Sequence, residues 1–268
     1  MVETTQPTRS SAPTPTPMPG VLPVAAGDII HILGAGLRDF RAAPLLGMGV
    51  SSIYAVGGWF LFLLLVRFDL PFLVYPLAAG FALIAPFIAT AFYAISRNLE
   101  RGESPSCGRM KQEVWRASRR DLGWMALVTG FALFIWMDIA ALLTFGFLGL
   151  KSYSAQELLR EIFTTPTGVL FLLIGNAVGA FLVLTVFSIS VTSFPMLFDR
   201  DVDFVTAMIT SVKVVSTKLT AMILWCCVIA ALIGLSLLSG LIGLLVVLPV
   251  LGHASWHLYR KAVAPAAG

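Results

Sequence analysis

Long charge-free apolar runs set the pattern of this chain. They cover residues 42–66, 70–96, 122–150, 162–198 and 219–259, and the third is broken only by Asp138. A helix needs about 20 apolar residues to cross a hydrocarbon layer of about 30 Å, so each of the first four runs predicts one transmembrane span. The fifth run is too long for one. As a single helix it would reach about 60 Å, and its middle holds Gly234, Ser236, Ser239, Gly240 and Gly243. It predicts two helices in a hairpin turning near residues 236–240. The six expected spans are 44–66, 72–95, 122–148, 167–192, 217–236 and 240–258.

Between the runs the pattern changes to helical amphipathicity. Residues 28–41 place Ile29, Leu33, Leu37 and Phe40 on one face, against His31, Ala35, Arg38 and Arg41. Residues 108–120 set Met110, Val114 and Ala117 against Gln112, Arg116 and Arg119. In residues 203–218 the apolar positions Val205, Met208, Val212 and Val215 lead to Leu219 in steps of three and four, with Thr206, Thr210, Lys213 and Thr217 opposite. Such stretches predict helices lying in the membrane interface. Each precedes a pair of spans, so the predicted fold is all-α: a six-helix transmembrane bundle built as three units, each an interfacial helix followed by a transmembrane hairpin. A further helix over 154–163, opened by a capping box from Ser154 to Glu157, is expected on the opposite face.

Composition agrees with lipid as the solvent. Hydrophobic residues make up 58% of the 268 and charged ones only 12%, against about 25% in soluble domains. Threaded through six spans, fifteen of the eighteen Lys and Arg fall on one side; Arg67, Lys151 and Arg160 fall on the other. The positive-inside rule then places both termini in the cytoplasm, as in a multi-pass protein of a bacterial inner membrane. Residues 1–26, rich in Pro, Thr and Ser without an apolar core, read as a disordered cytoplasmic tail. The membrane domain spans 27–261, and 262–268 form a short tail. Cys107, Cys226 and Cys227 offer no disulfide framework.

Few residues could carry chemistry. Asp138 and Asn176 lie about 15 and 14 Å from the far end of their spans. At equal depth in antiparallel neighbours they would form either a helix–helix hydrogen bond or a protonatable site in a solute or proton path. Gly175 and Gly179 make a GxxxG motif suited to close helix packing. Pro71, Pro76 and Pro86 suggest a kink in the second span. His253 and His257, four apart at a membrane boundary, are weak metal or haem candidates beside a reading as interfacial belt or interhelical hydrogen bonds. Asp199, Asp201 and Asp203 lack the spacing of a calcium loop and suit helix capping. Arg116, Arg119 and Arg120 are candidates for holding anionic lipid headgroups. No GxSxG, HExxH, Walker or GxGxxG signature occurs.

Three segments carry a resemblance. Residues 93–103 (YAISRNLERGE), 194–208 (FPMLFDRDVDFVTAM) and 248–260 (LPVLGHASWHLYR), with Trp225, resemble an uncharacterised family of predicted bacterial integral membrane proteins, some of whose members are labelled cytochrome c oxidase subunit I. The resemblance spans about Gly27 to Lys261 and implies an inner-membrane protein of unknown function with no established catalytic residue. The expectation is a non-enzymatic protein with an envelope or assembly role and no cofactor. Its partners would be the bilayer, anionic lipid headgroups, and membrane proteins or further copies of the chain, not nucleic acid. The alternatives are a small-solute or proton transporter using Asp138 and Asn176, and a haem- or metal-binding respiratory-type protein.

Overall fold

A computed structural model describes residues 18–67, 71–119, 121–149 and 155–265. Among these the chain is all-helical: α1 (Asp28–Ala42), α2 (Pro44–Val66), α3 (Pro71–Glu100), α4 (Cys107–Ser118), α5 (Leu122–Leu148), α6 (Ala155–Thr164), α7 (Pro166–Ser190), α8 (Ser193–Asp199), α9 (Phe204–Thr217), α10 (Leu219–Leu238) and α11 (Leu244–Ala262). Four stretches are long and apolar enough to cross a membrane, Pro44–Leu64, Leu122–Leu148, Pro166–Asp199 and Leu219–Leu238. Helices also occupy the other two expected spans, where α3 runs on through Pro76 and Pro86 and α11 ends in Arg260 and Lys261.

Local chemistry sets several helix ends. Pro44 and Pro166 sit in the first turns of α2 and α7, where a missing N–H costs nothing. Thr165 caps α7 through Gly168 N, Ser106 caps α4 through Arg109 N, and Asp203 caps α9 through Thr206 N. The hairpin between α10 and α11 turns at residues 239–243, three residues later than its glycine and serine content suggested. Ser236 stays helical and donates to Leu232 O. The reversal falls instead at Gly240 and Leu241, both with positive φ. It is secured by Gly243 N donating to Ser239 Oγ and by Trp59 Nε1 donating to Gly240 O at 2.9 Å.

Helix α4 buries Met110 and Ala117 on the face its apolar residues define, whereas α1 and α9 turn partly different faces inward. In α1 the buried residues are Ile29, Ile32, Ala35 and Gly36, packed on α11. In α9 they are Ala207, Thr210, Ser211, Val214 and Val215, while Val205, Val212 and Leu219 point outward. Small and hydroxyl-bearing residues let helices approach closely, and large apolar ones can face lipid at no cost. Gly36 shows how close the approach is: a Cβ there would lie 2.5 Å from Val250 O and 2.7 Å from Ala254 N.

The buried core sits at one end of the bundle, the end carrying Arg97, Arg101 and Arg260. Tyr93, Phe198 and Trp256 pack ring against ring at 6.0–6.2 Å, with Tyr259 5.6 Å from Trp256. Further from that end the helices separate, and the apolar windows of α5 and α7 are only 6% and 0% buried. Part of the expected tail joins the core. Leu22 N donates to Ala262 O, Ala264 N donates to Gly20 O, and Val21 bridges Val263 in antiparallel pairing. Val24 and Val263 are buried. This backbone pairing joins residues 20–22 of the segment expected to be a disordered tail to residues 262–264 at the start of the expected short tail. Residues 1–17 lie outside the described residues.

Candidate functional site

The charged end holds a polar cavity of about 260 Å³ lined by Arg97, Arg101, Glu113, Arg116, Ala117, Phe198 and Asp199. Three elements build it. The last turn of α3 presents Arg97, and Arg101 follows directly after its end. Helix α4 lays Glu113 and Arg116 across them, and α8 ends in Phe198 and Asp199. Arg97 Nη2 stands 3.2 Å from Glu113 Oε2, and its guanidinium lies 4.2 Å over the Phe198 ring. Asp199 Oδ2 accepts from Tyr259 Oη at 2.8 Å and from Arg260 Nη1 at 3.5 Å. Both acids therefore have cationic or hydroxyl partners. Among the described residues the guanidiniums of Arg101 and Arg116 make no ion pair, and the buried Arg97 Nε makes no hydrogen bond. The cavity thus has more donors than acceptors, a disposition suited to a phosphate or carboxylate oxygen.

A second polar group ties α1, α3 and α11 together. Ser96 Oγ donates to Asp39 Oδ2 at 2.7 Å and lies 2.8 Å from His253 Nδ1. His257 Nε2 bonds the same Asp39 oxygen at 2.8 Å. With the Ser96 proton given to the carboxylate, the remaining bond requires His253 to donate from Nδ1. Burial works to raise the Asp39 carboxyl, but the hydrogen bonds from His257 and Ser96 outweigh it and hold the group below its usual value. Ser96 and His253 are fully buried, so the chain of bonds runs from a half-buried acid at the surface into the core. The two histidines accordingly serve as interhelical hydrogen-bonding groups. Among the described residues no three His, Cys, Asp or Glu side chains form a metal-ligating group, so their four-residue spacing gains no third ligand.

The other sequence candidates fall apart spatially. Asp138 and Asn176 are both exposed, and Asn176 Nδ2 donates to Leu172 O within its own helix at 2.7 Å. The expected bond between them is not made, because α7 packs on the side of α5 that carries Trp136 and Ala140, about 180° around the helix from Asp138. An acid so placed in a span costs about 2.5–3.5 kcal/mol. Gly179 does allow close packing: a Cβ there would lie 3.2 Å from the Trp136 ring. Gly175 instead opens with Asn176 onto a groove of about 250 Å³. Of the headgroup candidates, Arg116 lines the polar cavity, Arg119 lies 5.1 Å over Trp115, and Arg120 lies outside the described residues, as do Lys151 and Ser154. Asp201 and Asp203 sit apart from the cavity, and Asp203 accepts from Thr206 N and Thr206 Oγ1.

Asp39 and Glu113 were not singled out by sequence; Ser96, Arg97 and Arg101 entered only within the resembling segment 93–103, and Asp199 only as one of three acids suited to helix capping. Arg97 and Arg101 stand four apart at the end of an apolar run, which was the available signal. Asp39 carried none, since its partners lie 57 and 218 residues away. Residues 74–199 match the family model described as predicted integral membrane protein (DUF2189). The chain is an integral membrane protein with several apolar helices. All the residues lining the polar cavity lie inside the matched segment, whereas Asp39, His253 and His257 lie outside it. No curated protein and no solved structure matches the chain.

Proposed function

We propose that the chain is a non-enzymatic six-span protein of a bacterial inner membrane that holds an anionic lipid headgroup at its cytoplasmic end. The observation that carries this reading is the polar cavity, where Arg101 and Arg116 are unpaired beside the buried Arg97 Nε. Six helices at the expected positions support the span count. The bridge between Val21 and Val263 supports both ends lying on one side of the membrane, as an even number of spans requires. The cavity sits where the apolar run of α3 gives way to charge, at the depth of lipid phosphates. There a surplus guanidinium gains both Coulomb attraction and paired hydrogen bonds.

The test is native mass spectrometry of the full chain after exchange into mixed phosphatidylglycerol and phosphatidylethanolamine. The wild type is expected to retain the anionic lipid preferentially. Joint replacement Arg101→Gln and Arg116→Gln removes two surface cations at about 1 kcal/mol each, so retention should weaken about thirtyfold. Arg67→Gln, at the other end of the bundle, should leave it unchanged. Equal retention of both lipids by the wild type, or no loss in the double variant, would overturn the reading.

A further inference from the structure

Among the described residues the face of α5 opposite α7 has no partner. Leu127, Phe131, Phe134, Asp138, Ala141 and Phe145 follow one another in steps of 4, 3, 4, 3 and 4. All six are exposed, the leucine and three phenylalanines at 55–63%. Over five steps they advance 18 residues, five turns of a straight α-helix, so they form one continuous stripe, or seam, along α5. From Leu127 to Phe145 the seam rises about 27 Å, close to the full hydrocarbon thickness.

Aromatic rings alone could face lipid. Asp138 could not do so without penalty, and among the described residues no group hydrogen-bonds it. We infer that this face is covered by the same face of a second copy of the chain, with Asp138 hydrogen-bonded to Asp138 of that copy.

Two features favour a second copy over another occupant. A two-fold axis along the membrane normal brings α5 to α5 in parallel, so each seam residue meets its own counterpart at the same depth. A carboxyl group is self-complementary in that setting, since one acid donates to the other and neither needs a separate basic or amide partner. A lipid tail offers Asp138 no acceptor or donor. A single polar residue at one seam position, flanked by apolar ones, is also the device by which paired helices fix their register. Ala141, one turn further along, leaves room beside the carboxyl pair. The surface is separate from the headgroup cavity, so either proposal can fail alone.

The experiment is oxidative crosslinking of the full chain in its own membrane. In a background with Cys107, Cys226 and Cys227 replaced by alanine, cysteine is placed at Phe134 or Ala141 on the seam, or at Leu143 on the α7-facing side. The seam positions are expected to give a product of twice the 28.8 kDa chain mass, and Leu143→Cys none. Adding Asp138→Leu should lower the seam product about threefold to twentyfold, while Asp138→Asn, which can still pair with itself, should preserve it. Monomer at every position, equal crosslinking at Leu143, or a product of another mass would overturn the proposal. An unchanged yield in Asp138→Leu would overturn the carboxyl pairing. Phe134→Cys and Ala141→Cys retain Asp138, so they test the seam even where Asp138→Leu does not accumulate.

Discussion

Two glycines in α1, Gly34 and Gly36, are two residues apart and so lie on nearly opposite sides of the helix; they should respond oppositely to the same substitution. A methyl group at Gly36 would sit 2.5 Å from Val250 O, 2.7 Å from Ala254 N and 2.9 Å from Ala254 Cβ. Two of these are backbone atoms of α11, so no rotamer change relieves the clash. Restoring an ordinary contact requires α1 to retreat by about 0.8 Å. That displacement would stretch the 2.8 Å bond between His257 and Asp39, one turn along the same face, to about 3.6 Å and out of hydrogen-bonding range. Overpacking costs about 1–3 kcal/mol and a hydrogen bond to a charged group about 1.5–3 kcal/mol. Exchanging a helical glycine for alanine returns about 1 kcal/mol. The net loss for Gly36→Ala is therefore about 1.5–5 kcal/mol. At Gly34 the added methyl meets only the Arg38 side chain, 3.8 Å away, so Gly34→Ala keeps the propensity gain of up to about 1 kcal/mol. Thermal unfolding of both variants in the same detergent or nanodisc is the assay. Gly36→Ala should melt several degrees below wild type and Gly34→Ala at or above it. If Gly36→Ala were as stable as Gly34→Ala, the close docking of α1 on α11 would be wrong.

Further outcomes follow from the same geometry. Because Asp39 is held below its ordinary value near 3.8, the stability it contributes is present above the unfolded value and is lost as pH falls through the lower folded one. A melting-temperature profile from pH 7 downward should therefore drop in acid, and Asp39→Asn should flatten that limb while lowering stability at neutral pH. At the α10–α11 turn, Gly240→Ala forces a side chain into a left-handed conformation and should cost about 1–2 kcal/mol. Trp59→Phe removes the bond to Gly240 O and should cost about 0.5–1.5 kcal/mol; denaturation by graded detergent would compare the two. A reporter fused between α5 and α7 should read external and one fused after α11 cytoplasmic, and an identical reading at both would refute the orientation drawn from charge.

The helical layout was legible because the signals that define it are local. Charge-free runs, Pro44 and Pro166 at helix starts, and the caps at Ser106 and Asp203 act within a few residues. The buried faces of α1 and α9 were misread for a reason specific to membranes. Hydrophobic periodicity marks the buried face when water is the solvent, yet here lipid accepts Val205, Val212 and Leu219 while Ala207, Thr210 and Ser211 make the helix contacts. Small-residue periodicity would have pointed to the correct face, and Gly36 and Ala35 were already visible in the sequence of α1.

The candidate site was harder to read because it depends on what remains unpaired after folding. Seven basic residues lie between the second and third helical runs, and nothing in their spacing says which will find a carboxylate. The fold decides. Arg97 takes Glu113, Arg109 takes Glu103, and Arg260 stands between Glu100 and Asp199. Among the described residues Lys111, Arg101, Arg116 and Arg119 make no ion pair, and what distinguishes Arg101 and Arg116 is that they line the polar cavity, whose two acids are bound to other groups. The same logic separates Asp138 from the other acids. Asp28 pairs with Lys261 and Asp39 with His257, both at the charged end where partners are plentiful. Asp138 alone among these lies in a span, on a face of α5 that no other described residue covers. Unpaired cations at one end and an unpaired acid in the membrane point to two different missing partners, one anionic at the headgroup level and one a hydrogen-bonding group inside the bilayer.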